Sequence, residues 1–174
     1  MAAATAPSWM FAVLLLVAGA IKLTQPAATG AALQGARMPS DPRIVRTLGL
    51  GEIALAATVL VIGGWLPAAL LAATYTVFAI FTARQSRRGA GCGCFGDANA
   101  PATNVHVGVD VAGALCAAVA AVAGAPAVVD VPGGMARVLA VVGVCLGAQL
   151  LRMLLTSVPE LAAALALHRT EGTA

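Results

Sequence analysis

This chain is poor in charge. Asp, Glu, Lys and Arg make up 10% of its 174 residues while hydrophobic residues make up 60%, whereas a soluble domain carries about 25% charged residues. So few charges cannot cover a water-exposed surface, and a mean hydropathy of +0.94 points the same way: an integral membrane protein is expected. A basic soluble domain is missing too. The net charge of +3 and pI near 8.9 would suit nucleic acid, but the arginines stand at the ends of apolar runs. They read as topology signals, and nucleic acid is excluded as a partner. The sequence contains no soluble cofactor fold, no phosphate loop and no internal repeat of fixed period. No Lys or Arg precedes the first apolar run and no small-residue cleavage site closes it before Lys22, so a cleaved signal peptide is not expected.

What the chain does have is a series of apolar runs near 20 residues long, each able at about 1.5 Å per residue to cross a hydrocarbon core of about 30 Å. The first, residues 8–24, stops at Gln25-Pro26, where the missing N–H discourages continuation. Trp9 is expected at an interface, and Lys22 either snorkels to the headgroups or turns inward to a carboxylate. Residues 26–42 are too short and polar to span and suggest a short interfacial helix ending near Pro39. The second run, residues 44–65, carries Arg46 near its start and Glu52 deeper in. An acidic side chain at a helix centre costs about 2.5–3.5 kcal/mol on insertion scales, so Glu52 should face the bundle and find a partner. Arg46 falls on another face of the same helix, which makes Lys22 the better candidate. Such a pair can also serve only to fix helix register.

Gly63-Gly64-Trp65-Leu66-Pro67 is a turn tight enough to make the second and third runs antiparallel neighbours. The third, residues 67–83, ends in Arg84, Arg87 and Arg88. A polar loop over residues 85–104 follows and includes Asp97. The fourth run, residues 104–123, has Thr103 or Asn104 as N-cap and carries His106 and Asp110, four apart and so on one face. The fifth, residues 135–156, holds Arg137, Cys145, Gln149 and Arg152, and a tail over residues 158–174 is part apolar helix, part polar terminus.

Two kinds of cysteine occur. Cys116 and Cys145 stand alone inside apolar runs, where packing is the ordinary role of the residue. Cys92 and Cys94 stand one glycine apart in Gly91-Cys92-Gly93-Cys94-Phe95-Gly96. In extended chain such a pair is at or beyond the span of about 4.4–6.8 Å between Cα atoms that a disulfide needs, but a bend at the glycines closes it. The small ring so formed would be strained and inclined to pass its disulfide on. The upstream arginines and the N-terminal end of the fourth helix would both favour thiolate. Three readings stay open from these residues: a redox pair, a metal site completed by His106 and Asp110, and an inert pair. His106 can act as base or ligand, or simply be solvated.

Four stretches together resemble a known group. Gly19-Ala-Ile-Lys22-Leu-Thr-Gln-Pro26, Leu48-Gly-Leu-Gly-Glu52, Val77-Phe-Ala-Ile-Phe-Thr-Ala-Arg84 and Cys92-Gly-Cys94-Phe-Gly96 are similar to those of the methylamine-utilisation MauE branch of the DoxX-like redox-associated membrane proteins, over roughly residues 8–125. The CxCFG element is the most specific of them. The chain departs from the family's Arg-Asn-like start to the fourth helix, reading Asn104-Val-His106. The resemblance implies a four-helix core with the fifth span an addition, a role in disulfide chemistry or maturation of a partner protein, and a thioredoxin-like co-worker. Maturation of an exported partner would put the thiols outside. The charges say otherwise: Lys22, Arg37, Arg43 and Arg46 flank the first connection, Arg84, Arg87 and Arg88 the third, Arg152 and Arg169 the C-terminal end, and only Arg137 lies near the fourth. The positive-inside rule then places the N-terminus outside and the cysteine loop in the cytoplasm.

The expectation is therefore an all-α integral membrane protein of the plasma membrane. Residues 1–125 form a MauE/DoxX-like four-helix domain, and residues 126–174 add a transmembrane helix and short tail. Cys92 and Cys94 form a redox pair supported by Lys22, Glu52, Arg84 and His106, in a thiol–disulfide oxidoreductase or an accessory subunit linked through the resemblance to methylamine utilisation. The rival is a small transporter or metal-handling protein with Cys92, Cys94, His106 and Asp110 as ligands. No cofactor is evident; quinone and metal both stay open. The bilayer and a thioredoxin-like or other redox protein are the expected partners.

Overall fold

The computed structural model describes residues 2–96 and 101–171, with side chains from residue 5 to 96 and from 101 to 157. Asp97, the side chain of Arg169 and the polar terminus lie outside them. The regular elements among the described residues are all helical: α1 (Ala2–Thr24), α2 (Pro26–Gly35), α3 (Pro42–Val61), α4 (Trp65–Arg87), α5 (Asn104–Ala123), a 3-10 turn (Val128–Asp130) and α6 (Gly134–Glu171). Among the described residues five helices are long and apolar enough to cross a bilayer. The protein is a multi-pass membrane protein in contact with lipid.

Local chemistry sets the breaks. Gln25 ends α1 ahead of Pro26. Asp41 caps α3, its Oδ1 accepting the Arg43 backbone N–H at 2.7 Å with Pro42 in the first turn. Gly63 and Gly64 adopt φ of +65° and +91°. A Cβ on Gly63 would meet the Ala127 backbone nitrogen at 2.6 Å, so only glycine lets the α3–α4 turn pass beneath the α5–α6 connection. That turn makes Trp65 the first residue of α4, not the last of the second span. The fourth span has the expected limits, and α6 continues past Thr156 to Glu171.

Helix α1 is the central post. Half of its spanning window is buried, against 17% for α6, and it packs on α3, α5 and α6, while α4 packs chiefly on α5. The chain runs up and down, so one end of the bundle gathers the end of α1, all of α2, the start of α3, the end of α4 and the start of α5. At the other end the Gly64 backbone N–H donates to the Ala125 carbonyl at 2.7 Å. The Trp9 indole N–H there donates to the Pro126 carbonyl at 3.1 Å. Trp9, expected at an interface, is 2% exposed because the α5–α6 connection folds over it; the exposed indole is Trp65. Helix α2 ends at Gly35, short of Pro39, and buries Ala28, Thr29, Gly30, Ala32 and Leu33. It plugs the bundle end and so supplies a floor for the cysteine loop.

Candidate thiol site

The loop after α4 is pinned at its base and along its length. Gly91 and Pro101 form an isolated antiparallel bridge, and the Ala102 N–H donates to the Ala90 carbonyl at 3.0 Å. Gln85, buried in the last turns of α4, donates from Nε2 to the carbonyls of Gly91 at 3.1 Å and Ala32 at 3.4 Å, tying α4, the loop and α2 together. The Thr29 hydroxyl donates to the Gly93 carbonyl at 2.9 Å. Gly93 itself has φ +64°, and a Cβ there would lie 2.5 Å from the Ala28 carbonyl oxygen. Backbone meets backbone at this point, and the bend expected of Cys92-Gly-Cys94 is built by pressing its glycine onto α2.

This docking turns Cys92, Cys94 and Phe95 into the bundle, where Cys92 is buried and the other two half-buried. They line a cavity of about 30 Å³ whose other polar walls are Lys22, Thr82, His106 and Asp110, with Tyr75, Phe78 and Leu155 among the apolar ones. That space suffices for a water molecule, which needs about 10–15 Å³ by this measure. Ligand pockets for cofactor-sized molecules run to about 300–1,000 Å³, so the cavity does not fit a quinone ring.

Lys22 turns inward. Its Nζ bonds Glu52 Oε2 at 2.8 Å, with both side chains nearly inaccessible, and lies 5.7 Å from the centre of the Phe78 ring. The pair is possible because α1 and α3 touch at glycines. A Cβ on Gly19 would come within 2.7 Å of the Gly49 carbonyl oxygen and 3.2 Å of Glu52 Cβ, and one on Gly49 would come within 3.0 Å of Lys22 Cβ. Small residues of this kind allow close approach of helices in membranes. On the opposite wall Thr82 Oγ1 donates to Asp110 Oδ2 at 2.8 Å. The Thr103 backbone N–H donates to His106 Nδ1 at 3.3 Å, with Thr103 Oγ1 at 3.0 Å from the same nitrogen. His106 thus serves as the far half of a capping box for α5, and in the neutral ring its proton sits on Nε2.

The two thiols are unequal. Hydrogen bonding from Cys94 lowers the Cys92 thiol to about 7, helped by backbone donors and the Lys22 charge and opposed by burial. Cys94 is pushed well up, by donating to Cys92 and by burial. Its Sγ lies 3.7 Å from the Cys92 carbonyl oxygen. Both thiols are free.

Of the residues singled out in the sequence, Cys92, Cys94, Lys22, His106 and Asp110 share the cavity and Glu52 stands behind Lys22. Arg84, Arg87 and Arg88 are exposed; the cation that acts on both thiols is Lys22. Among the described residues no three His, Cys, Asp or Glu side chains are placed to hold a metal ion, so Cys92, Cys94, His106 and Asp110 share a cavity without forming a ligand set. Sequence reasoning missed Thr29, Tyr75, Thr82 and Gln85. The signal for Thr82 was its polarity within an apolar run; Gln85, three residues on, fell in the stretch read as polar loop, whereas it belongs to the last turns of α4. Cys116 is half-buried beside the core, whereas Cys145 is exposed on the outer face of α6.

A family model described as Methylamine utilisation protein MauE matches residues 1–127. No curated protein and no solved structure matches the chain.

Proposed function

The chain belongs to the MauE family of membrane proteins, and on that premise we propose that it exchanges disulfides with a partner protein through Cys92 and Cys94. The observation that carries this reading is the docked bend, which presses Gly93 onto α2 and turns two free thiols into one cavity beside Lys22; the lowering of Cys92 and the raising of Cys94 agree with it. A nucleophilic thiol near neutrality beside a protonated resolving thiol is what exchange requires. Cys92 thiolate attacks one sulfur of a partner disulfide and forms a mixed disulfide as the other partner sulfur leaves as thiolate. Cys94 then attacks Cys92 Sγ, closing the internal disulfide and releasing the second partner thiol. Two electrons pass from the pair to the partner, and the same steps reversed oxidise a partner dithiol during maturation.

The partner is a thioredoxin-like or other redox protein. The family's name supports a place in methylamine utilisation, as accessory to maturation of a protein there. The membrane is the plasma membrane. Arg37, Arg43, Arg46, Arg84, Arg87 and Arg88 at the thiol end of the bundle, against Arg137 near the other, support a cytoplasmic thiol loop and an outer N-terminus. Acid-quenched alkylation of cells followed by mass spectrometry tests the exchange. A linked Cys92–Cys94 peptide should appear under mild oxidation and vanish on reduction, and a chain with both cysteines changed to serine should lose function. Full function in that double variant, or no linked peptide under any condition, ends the proposal.

A further inference from the structure

Closing the internal disulfide releases the Cys94 proton, and the cavity holds few groups that can take it. Lys22 is occupied by Glu52 at 2.8 Å. The Tyr75 hydroxyl donates to the Phe11 carbonyl at 2.8 Å. His106 accepts at Nδ1 from its cap and carries its proton on Nε2, so neither nitrogen has a free lone pair. Helix α6 contributes only the apolar Leu155. Asp110 remains. It is an acid within a membrane span, where ionisable residues are costly and generally functional. Among the described residues its carboxylate has no cationic partner, and its hydrogen bond is the one accepted from Thr82. It faces both thiols across a space large enough for one bridging water.

Resting on the thiol–disulfide reading above, we propose that Asp110 takes up the proton of the Cys94 thiol as the pair closes, and returns it when the pair is reopened. In the closing step the Cys94 proton passes through the cavity water to the Asp110 carboxylate. The Cys94 sulfur electron pair forms the bond to Cys92 Sγ, and the bond from Cys92 to the partner sulfur breaks with its electrons leaving on the partner. Thr82 fixes one carboxylate oxygen, and the other is the one that takes the proton.

The test uses the full chain in detergent, with Cys116 and Cys145 changed to alanine, and one equivalent of methyl methanethiosulfonate, a probe small enough to reach a buried thiolate. Intact mass after acid quenching follows two events: methylthiolation of Cys92 with loss of sulfinate, then conversion of the adduct to the internal disulfide with loss of methanethiol. In Asp110→Asn the first event should keep its rate while the second slows on the order of 100-fold at neutral pH, as loss of a proton acceptor does, and recovers as pH rises. Thr82→Val, which keeps the acid but frees it, should alter the pH profile of the second event alone and serves if Asp110→Asn does not fold. An unchanged second event in Asp110→Asn, or equal slowing of both events in both variants, overturns the proposal. An adduct that never closes in the unsubstituted site removes the exchange reading itself.

Discussion

At the scale of the residue, the site turns on what surrounds Cys92, with Cys94 first and the Lys22 charge a smaller contributor. The Cys92 thiol is lowered to about 7, so it is protonated and slow below that pH and thiolate above it, whereas an ordinary cysteine near 8.5 is only a few per cent thiolate at neutrality. The iodoacetamide rate of Cys92 against pH should therefore rise through about 7. In Cys94→Ala, which removes the largest stabilising contact, the rise should move upward into the ordinary thiol range; an unmoved profile would show that Cys94 does not set it. Lys22 makes a second, separable prediction. Lys22→Met leaves Glu52 buried without a counter-charge and should cost about 3–5 kcal/mol of stability in thermal or denaturant unfolding. The double change Lys22→Met with Glu52→Leu should recover most of that loss, because apolar replacement of a buried pair is often neutral. The Cys92 profile should stay shifted upward in the double variant all the same, since the cation has gone. Recovery of both properties together would confine Lys22 to a structural role.

At the scale of the element, the loop works by its fit to α2. Gly93→Ala must push the Ala28 carbonyl from a 2.5 Å approach at φ +64°, so the loop should lift and Cys92 should lose both its burial and its depressed titration. Gly89 has the same φ of +64° but nothing within 4 Å of a Cβ, so Gly89→Ala should carry only backbone strain of about 1–3 kcal/mol and leave the Cys92 alkylation profile alone. Equal effects of the two would mean that docking on α2 is irrelevant. The contrast also shows what a sequence discloses. The spans, the tight α3–α4 turn and the Lys22–Glu52 pair were legible, because apolar length fixes the first, glycines the second, and a carboxylate in a membrane has few partners to choose from. Helix α2 as a floor was not. Its hold on the loop is Thr29 to the Gly93 carbonyl, a side chain meeting a backbone atom 64 residues away, and no periodicity encodes such a contact. The arginines misled for a related reason: Arg84, Arg87 and Arg88 are close to the thiols along the chain, while Lys22 is close only once α1 is folded beside them.

At the scale of the whole molecule, the bundle has two unlike ends, and the thiol end is also the arginine end. Moving Lys22 from the surface count into an ion pair removes one positive charge from that end, yet six arginines from α2 to α4 still outnumber Arg137 opposite. The bias therefore survives the correction, and the thiols should face the cytoplasm. Labelling Cys92 itself cannot decide this, because a buried thiol resists a bulky reagent from either side. Exposed reporters can. Gln34 on α2 lies at the thiol end and Val129 in the α5–α6 connection at the other, and both side chains are exposed. In a chain stripped of its four native cysteines, Val129→Cys should react with a membrane-impermeant maleimide in intact cells and Gln34→Cys only after permeabilisation. The reverse pattern would invert the molecule. The proposed exchange chemistry, which would rest on the same cavity and loop in either orientation, would be untouched, but the proposed partner would then have to be an exported protein acquiring its disulfides outside the cell, the arrangement that maturation of such a protein implies.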